Sequence, residues 1–438
     1  MNLLPRLLVF FIACSFCWGG VDIPLSELQS LSTLSLSEAV RRATLTDPRI
    51  AAARLRQQAA QEAITASKAS WFPSLIGNAT VVGTDGENNR IAAGGGLNNP
   101  IVFYRGAFGV NLTWQLYDFG RTSFRVQAAR LRANALNEGV ETIRSEVVLN
   151  VNEAFLGVLH SAALQKTLKV AIDTRKALRD QVGALVTNKL RSELDLAFAE
   201  SALSEAVLLN ANAENEEALA RTRLAILMGI GHTIDYQLVE PTLNVNRLVD
   251  PEVLVQEALA SRPDIKRLRL DLESAKKQAR AERAAQFPVV SALGAGGLVP
   301  YREDKLADNY LVGGLNLSVP FFDGFLSRSK LREANLLVES IAKAVQVEEQ
   351  RIIRDVRSAI VDLSSVQQRY EMAKGFGETT SKALRLAQIR YSSGSISVAE
   401  TSQAQLQALA AQIGELGARY GILKAWMKLQ YEVGAVRR

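Results

Sequence analysis

Few residues in this chain could carry out covalent or metal chemistry. Its 438 residues include two histidines, His160 and His232, and two cysteines, Cys14 and Cys17. Neither histidine is spaced with a second ligand as a metal site requires. The glycines at 92–96 lie in a polar stretch without the strand-then-helix setting of a phosphate-binding loop. These patterns predict a protein that is not an enzyme and that needs no metal or other cofactor.

The first 19 residues predict a secretory signal peptide. Arg6 precedes a short apolar stretch from Leu7 to Phe16, and small residues follow near Gly19. This apolar core is too short for a spanning helix. Cleavage after Gly19 would leave a mature chain without cysteine, and therefore without disulfide or thiol chemistry. Two alternatives stay open, namely a buried N-terminal helix and a lipid-anchored start at Cys14.

The composition favours long helices and argues against nucleic-acid binding. Apolar residues make up 48% of the chain and aromatic residues only 6%, with 11 prolines, which is typical of long helices rather than of many short strands. The 51 basic and 45 acidic residues are interspersed, so there is no clustered basic face of the kind that nucleic acids require. Beyond the N-terminus we expect no transmembrane helix, because no segment has about 18 uninterrupted apolar residues.

The chain is predicted to consist of two copies of one unit. Four landmarks recur: Pro48 with Pro263, Phe72-Pro73 with Phe287-Pro288, Asp118 with Asp323, and Gly229 with Gly434. The first two pairs are 215 residues apart and the last two are 205 apart, so the second copy has a loop that is shorter by ten residues. Fixed-period self-similarity of this kind indicates a repeat architecture. We therefore divide the chain into a signal peptide (1–19), repeat 1 (20–229), a linker (230–250) and repeat 2 (251–438).

Each repeat is predicted to have the same order of elements. A short helix comes first, then a helix that begins with proline in its first turn, then two strands separated by a polar loop, and last a long helical hairpin. The predicted strands are at about 73–84, 107–117, 288–299 and 310–321, and the hairpins at about 121–228 and 326–432. Apolar residues alternate from Phe108 to Leu116, over about the length that a tilted strand needs to cross a bilayer.

A seven-residue apolar repeat runs along the first helix of each hairpin. Its members are Val126, Ala133, Val140, Val147 and Ala154 in repeat 1 and Leu331, Val338, Val345, Ile352 and Ala359 in repeat 2. Such a repeat predicts close coiled-coil packing. About 66 residues at ~1.5 Å each give a rod of roughly 100 Å. The helices predicted at about 48–70 and 190–228 would together match this rod when placed end to end.

Four membrane-length strands cannot form a stable structure in lipid by themselves. An open sheet leaves unpaired edges, which the bilayer core does not tolerate. Three chains would supply 12 strands, an even number within the usual range of such barrels, and cyclic symmetry is the ordinary arrangement of incomplete units. The predicted fold class is therefore an α+β membrane protein, a homotrimer with a 12-stranded β-barrel and an α-helical barrel. The alternative is a structural coiled-coil cell-envelope or surface protein without transport.

The whole mature chain resembles the TolC-like outer-membrane efflux proteins, the trimeric exit ducts of bacterial efflux pumps and type I secretion systems. The resemblance rests on the Asp-Pro and Arg-Pro helix starts, the two Phe-Pro steps, LYDFGR and FFDGF, and the hairpin tips LVTNKLRSELDLAFAES and IRYSSGSISVAETSQAQ. It implies an outer-membrane barrel that continues into a periplasmic helical tunnel, through which substrates pass unmodified. It also implies a periplasmic adaptor and an inner-membrane pump of the RND, ABC or MFS class as partners, with outer-membrane lipid around the barrel.

The resemblance further assigns a gate to the hairpin tips. In the family, carboxylates that follow the tips ring the closed periplasmic entrance, and a tyrosine and an aspartate help to clasp it. Asp195, Tyr391, Glu400 and Gln403 match these places. Glu400 and Gln403 stand where well-known members carry aspartates, and Ile396 stands where a clasping arginine is sometimes found.

The same resemblance places Lys189, Gly394 and Ser395 on the surface that meets the adaptor. Three copies of Asp195 and Glu400 converging on one axis would attract cations. A structural interpretation of these two acids stays open, since both begin a return helix, where negative charge suits the helix dipole.

Overall fold

The computed structural model describes residues 33–82, 90–92, 101–103, 105–230, 236–241, 250–301 and 309–435. The predicted signal peptide with Cys14 and Cys17, the three glycines of the 92–96 stretch (94–96), and His232 with most of the predicted linker lie outside the described residues.

Long helices and a small number of strands make up the described part of the chain. The helices are α1 (Leu36–Thr46), α2 (Pro48–Lys68), α3 (Arg121–Thr187), α4 (Glu193–Leu227), α5 (Pro251–Ser261), α6 (Pro263–Ala284), α7 (Leu326–Ser392) and α8 (Val398–Val433). The strands are β1 (Thr33–Leu34), β2 (Ser74–Val82), β3 (Arg90–Ala92), β4 (Ile101–Phe103), β5 (Arg105–Tyr117), β6 (Gln237–Leu238), β7 (Val289–Tyr301) and β8 (Asn309–Ser318). β8 ends before Pro320, which has no backbone N–H to donate to a strand neighbour.

Four strands form one antiparallel sheet in the order β2-β5-β7-β8. β2 and β8 are its edge strands, so each has one side that no strand among the described residues pairs with. Several large apolar side chains of this sheet are exposed to the surroundings, among them Leu75, Phe108, Trp114, Leu311 and Leu315. A sheet with open edges and an exposed apolar surface is incomplete in water and in lipid alike.

Tight turns return the chain from each strand pair to a long helix. Asp118 accepts hydrogen bonds from the backbone N–H of Gly120 (3.0 Å) and Thr122 (2.7 Å) at the start of α3. Asp323 accepts one from the backbone N–H of Ser327 (2.9 Å) at the start of α7. The two aspartates thus satisfy the N–H groups that the first turn of a helix leaves unpaired.

The predicted seam of α3 is buried over its whole length. Its five members, Val126, Ala133, Val140, Val147 and Ala154, are each at most 7% exposed. In α7 the burial is uneven: Val345, Ile352 and Ala359 are buried, whereas Leu331 and Val338 are half-exposed. The part of α7 nearest the sheet therefore has a face that the described residues cover only in part.

α3 packs against α2 and α4, as the helix lengths predict, and also against α6 of the other half of the chain. Arg132 Nη1 lies 2.6 Å from Asp271 Oδ1, and Ser274 Oγ donates to the carbonyl oxygen of Ala128 (2.9 Å). α6 contacts α7 as well, so it lies between the two long helices. By composition an 18-residue window of α3 could cross a membrane, but 44% of that window is buried, which this packing explains.

Oppositely charged side chains flank the proline that starts α2 and α6, in inverted order. Asp47 caps α2 by accepting from the backbone N–H of Arg49 (2.7 Å) and pairs with the Arg49 guanidinium (2.8 Å). At the equivalent place in the second half, Arg262 pairs with Asp264 (2.6 Å). Arg262 additionally pairs with Glu432 at the end of α8 (2.7 Å), which ties the start of α6 to the end of the chain's last helix.

Candidate functional site

The two hairpin tips have the same backbone geometry. The chain leaves α3 through Lys189 with φ of 60° and leaves α7 through Gly394 with φ of 73°. In each turn the backbone N–H of the next residue donates to the carbonyl five residues earlier. Leu190 donates to Leu185 (2.8 Å), and Ser395 donates to Arg390 (2.8 Å). This is a helix C-terminus of the Schellman type, which favours glycine at the left-handed position.

We expect Lys189→Gly to stabilise the first tip by about 1 kcal/mol, because a side chain in the left-handed region costs about that much. Thermal unfolding of the purified protein measures the change. The matched variant is Gly394→Ala, which introduces the same strain in the second tip and should lower the melting temperature. A destabilising Lys189→Gly would mean that the exposed lysine side chain makes a contact worth more than the strain.

Each return helix begins at a serine cap followed by an acid. Ser192 Oγ accepts from the backbone N–H of Asp195 (3.2 Å), and Asp195 Oδ2 accepts from the backbone N–H of Ser192 (3.3 Å). This reciprocal pair is a capping box. Ser397 Oγ accepts from the backbone N–H of Glu400 (3.2 Å) in the same way. The half-buried Asp195 therefore has a capping role, while the carboxylate of Glu400 is exposed.

Tyr391 lies in a small buried cluster that joins the two hairpins. The cluster consists of Tyr391 and Val398 of the second hairpin with Leu178, Val182 and Ala199 of the first. The hydroxyl is buried and has no hydrogen-bond partner among the described residues. Burial raises the pKa of Tyr391, the nearby Asp195 charge raises it further, and the positive charge of Arg191 opposes them. The ring rather than the hydroxyl therefore makes the contact between the hairpins.

Arg191 is a residue of this site that the sequence analysis did not identify. Its guanidinium carbon lies 5.6 Å from the centroid of the Tyr391 ring, a cation–π geometry. Arg191 precedes Ile396 by 205 residues, so it occupies the equivalent place in the other hairpin. The repeat offset, applied to Ile396, could have found it.

The remaining predicted site residues lie at the tips without joining this cluster. Lys189, Gly394 and Ser395 are exposed in the turns, and Glu400 and Gln403 are exposed on the first two turns of α8. The structure thus brings together Tyr391, Arg191 and Asp195 from the two hairpins.

Metal and acid–base chemistry find little support in the part of the chain that the structure describes. No group of three or more His, Cys, Asp or Glu side chains there could hold a metal ion. His160 packs edge-on against Tyr420 at a ring distance of 5.7 Å. Burial, and secondarily Lys424, lowers the pKa of His160, so we expect this histidine to be neutral and structural.

Comparison with known proteins gives consistent matches over most of the chain. A family model described as outer membrane efflux protein matches residues 39–230 and 254–435. Protein CyaE of Bordetella pertussis is 24% identical over 403 residues, which cover 87% of this chain and 80% of CyaE. Outer membrane protein OprJ of Pseudomonas aeruginosa is 25% identical over 309 residues, which cover 64% of this chain and 60% of OprJ. The solved outer-membrane channel OprN has a TM-score of 0.80 at 20% identity, over 91% of this chain and 89% of that chain; at this identity the likeness concerns the fold.

Proposed function

The chain belongs to the outer membrane efflux protein family, and from this premise we propose that it is a passive exit duct of the bacterial outer membrane. The duct would carry small molecules or proteins, unmodified, from the periplasm or an inner-membrane pump to the outside. The observation that carries the proposal is the four-stranded sheet with two open edges and an exposed apolar surface, which continues directly into helices of about 100 Å.

The open edges support a barrel built from three chains. β2 and β8 lie at opposite edges of the same antiparallel sheet, so β8 of one chain can pair with β2 of the next. Closing the ring removes every unpaired strand edge, as lipid requires, and three chains supply 12 strands, an even number in the usual range. Exposed aromatic side chains at the strand–helix junctions, such as Trp71, Phe119 and Phe287, suit the membrane interface.

The helices support the same assembly. α6 lies between α3 and α7 of one chain and buries Ile265, Ala279, Ala281 and Ala284. Its counterpart α2 packs on α3 and buries only Ile50 and Ala53. The half-exposed Leu331 and Val338 of α7 offer the missing contact. In a trimer, α2 of one chain would lie between its own α3 and the α7 of the next chain.

At the far end of the tunnel, we assign the hairpin tips to the periplasmic entrance. The cluster of Tyr391 with Arg191 would hold the two hairpins of each chain together in the closed state. Asp195, Glu400 and Gln403 would face the entrance, and Lys189, Gly394 and Ser395 would meet the periplasmic adaptor that links the duct to an RND, ABC or MFS pump. Exposure of all three tip residues is compatible with such a contact.

Asp195→Ala combined with Glu400→Ala should raise channel conductance severalfold in planar lipid bilayers and weaken cation preference. Cation preference should weaken because carboxylates repeated around a pore axis attract cations. Conductance should rise because Asp195 stands at the place of the aspartate that helps to clasp the closed entrance in this family. Because Asp195 also caps α4, Asp195→Asn with Glu400→Gln is the matched variant that removes the charges and keeps the cap acceptors. Glu193→Ala, which removes an acid outside the capping box, should leave both properties unchanged. Unaltered conductance and selectivity in both double variants would contradict the gate.

Fractionation and assembly test the proposed function as a whole. We expect the protein in the outer-membrane fraction and as a trimer that resists detergent until it is heated. The alternative, a structural coiled-coil envelope protein, predicts no conductance in bilayers. A soluble monomeric rod would contradict the duct.

A further inference from the structure

A partly enclosed cavity lies between the two hairpins, in the wall formed by α3, α7 and α8. Its volume is about 90 Å³. It contacts Thr174 and Arg175 of α3, Leu384 of α7, and Gln405, Leu409 and Gln412 of α8. Since about 10–15 Å³ accommodates one water molecule, the cavity has room for several waters or for one small ion.

Two buried polar atoms beside this cavity have no hydrogen-bond partner among the described residues. They are Nη2 of Arg175, whose side chain is 1% exposed, and Oε1 of Gln405, a residue that is 6% exposed. Arg175 uses its other terminal nitrogen, Nη1, for the Ala202 carbonyl and for Glu205 Oε2 (3.0 Å). Buried polar groups nearly always have hydrogen-bond partners, so two unpartnered polar atoms at one cavity require a specific explanation.

The second hairpin forms the same helical pair without an arginine at this place. At the equivalent place of the second hairpin, 205 residues later, stands Thr380. Its hydroxyl donates to the Phe376 carbonyl (2.9 Å) and so needs no further partner. The equivalent of Glu205 is Ala410, and the equivalent of Gln405 is Glu200. The buried arginine, its carboxylate partner and the amide at the cavity therefore have no counterparts at the equivalent places of the other repeat.

The electrostatics of the cavity favour a negative ligand. None of the described residues that line it is acidic, and most of its wall is aliphatic, which strengthens the field of a buried charge. The Glu205 carboxylate is bonded to Nη1 of Arg175 and is 47% exposed, so water screens its negative charge. A half-turn of the Gln405 amide would place its NH2 group where Oε1 lies now, and the cavity would then present donors from two sides.

We propose that this cavity binds a small monovalent anion of the size of chloride or formate, held between the Arg175 guanidinium and the Gln405 amide. The anion completes the pairing of Arg175 and joins α3 of the first hairpin to α8 of the second. It acts as a non-covalent bridge between the hairpins, 14 residues before Lys189 in the first and 11 residues after Gly394 in the second.

Bromide, which scatters X-rays anomalously, tests the site directly in crystals of the unaltered full-length protein. We expect an anomalous peak within hydrogen-bond distance of Arg175 Nη2. In solution, chloride should raise the melting temperature by about 2 °C when it replaces gluconate at constant ionic strength, because a ligand that binds only the native state stabilises it. Gluconate is the comparison ion because it is too large for the cavity.

Two glutamate variants separate a bound anion from a general salt effect. Gln405→Glu places a carboxylate inside the cavity, so the melting temperature should become independent of chloride. Gln412→Glu adds the same charge at the exposed rim and should keep the chloride response. If no anomalous peak appears, or if Gln405→Glu responds to chloride as the unaltered chain does, the cavity holds solvent only and the proposal is overturned.

Discussion

Tyr391→Ala should open the periplasmic entrance and raise the single-channel conductance in planar bilayers severalfold. The substitution removes the ring that packs with Leu178 and Val182 across the two hairpins, and deleting a buried aromatic ring costs about 3–5 kcal/mol. It also removes the cation–π contact with Arg191, worth about 0.5–1 kcal/mol at exposed sites. If the closed state alone contains these contacts, about 3 kcal/mol shifts the closed–open equilibrium by about 100-fold.

Tyr391→Phe is the control for this prediction and should leave the conductance unchanged. The hydroxyl is buried without a hydrogen-bond partner among the described residues, so its removal deletes no favourable bond. Arg191→Leu should have an intermediate effect, because it removes the cation and leaves the ring packed. A Tyr391→Phe channel as open as Tyr391→Ala would mean that the hydroxyl, not the ring, closes the entrance.

Arg262→Met should destabilise the protein by about 3–5 kcal/mol, because it leaves the carboxylates of Asp264 and Glu432 in a buried site without their cation. Arg262 is 4% exposed and bonds to both, at 2.6 and 2.7 Å. Thermal unfolding in detergent at pH 7 measures the loss. Arg49→Met is the matched comparison: the Arg49 side chain, also paired with an aspartate across a proline, is 49% exposed. Asp47 is buried but keeps the backbone N–H of residue 49 as a partner, so we expect a smaller loss than for Arg262→Met.

The loss caused by Arg262→Met should shrink as the pH falls. Burial raises the pKa of Asp264, but the hydrogen bond and charge of Arg262 outweigh it and hold the pKa below its usual value of 3.8. A depressed carboxyl pKa stabilises the native protein above the unfolded pKa, and this contribution is lost as pH falls through the folded pKa. Without Arg262 the pKa of Asp264 in the folded protein rises. Protonation of Asp264 in mild acid then removes its unpaired charge and reduces the destabilisation of the variant. A loss that stays constant from pH 7 to pH 4 would contradict this account.

Sequence periodicity predicted the elements well, because it reflects which face of an element is buried. The seven-residue repeat of α3 identified five positions, from Val126 to Ala154, and all five are buried. The alternation from Phe108 to Leu116 predicted a strand, and β5 includes that stretch. Both signals are local, since they depend only on the geometry of one helix or strand. In α7 the same repeat is buried only in part, since Leu331 and Val338 are half-exposed; the proposed trimer would cover them with α2 of the next chain.

The candidate site was predicted less completely, because its contacts join residues far apart in the chain. The tips of both hairpins, and Tyr391 within the second, could be found from motifs and from the repeat. Arg191 could not be paired with Tyr391 in that way, since 200 residues separate them and the choice depends on how the hairpins pack. The sequence allowed the interpretation that Asp195 is an acid at the start of a return helix, and the structure adds its reciprocal capping bonds with Ser192.

By itself, the sequence determined where helices, strands and turns lie and which faces are apolar, because these depend on local spacing. Only the tertiary structure decided which faces meet. It placed α6 between α3 and α7, set Arg191 against the ring of Tyr391, and brought Arg175 and Gln405 to one cavity. The physical reason is that two similar repeats offer similar apolar faces, so partner choice depends on the summed packing and charge contacts of the whole chain.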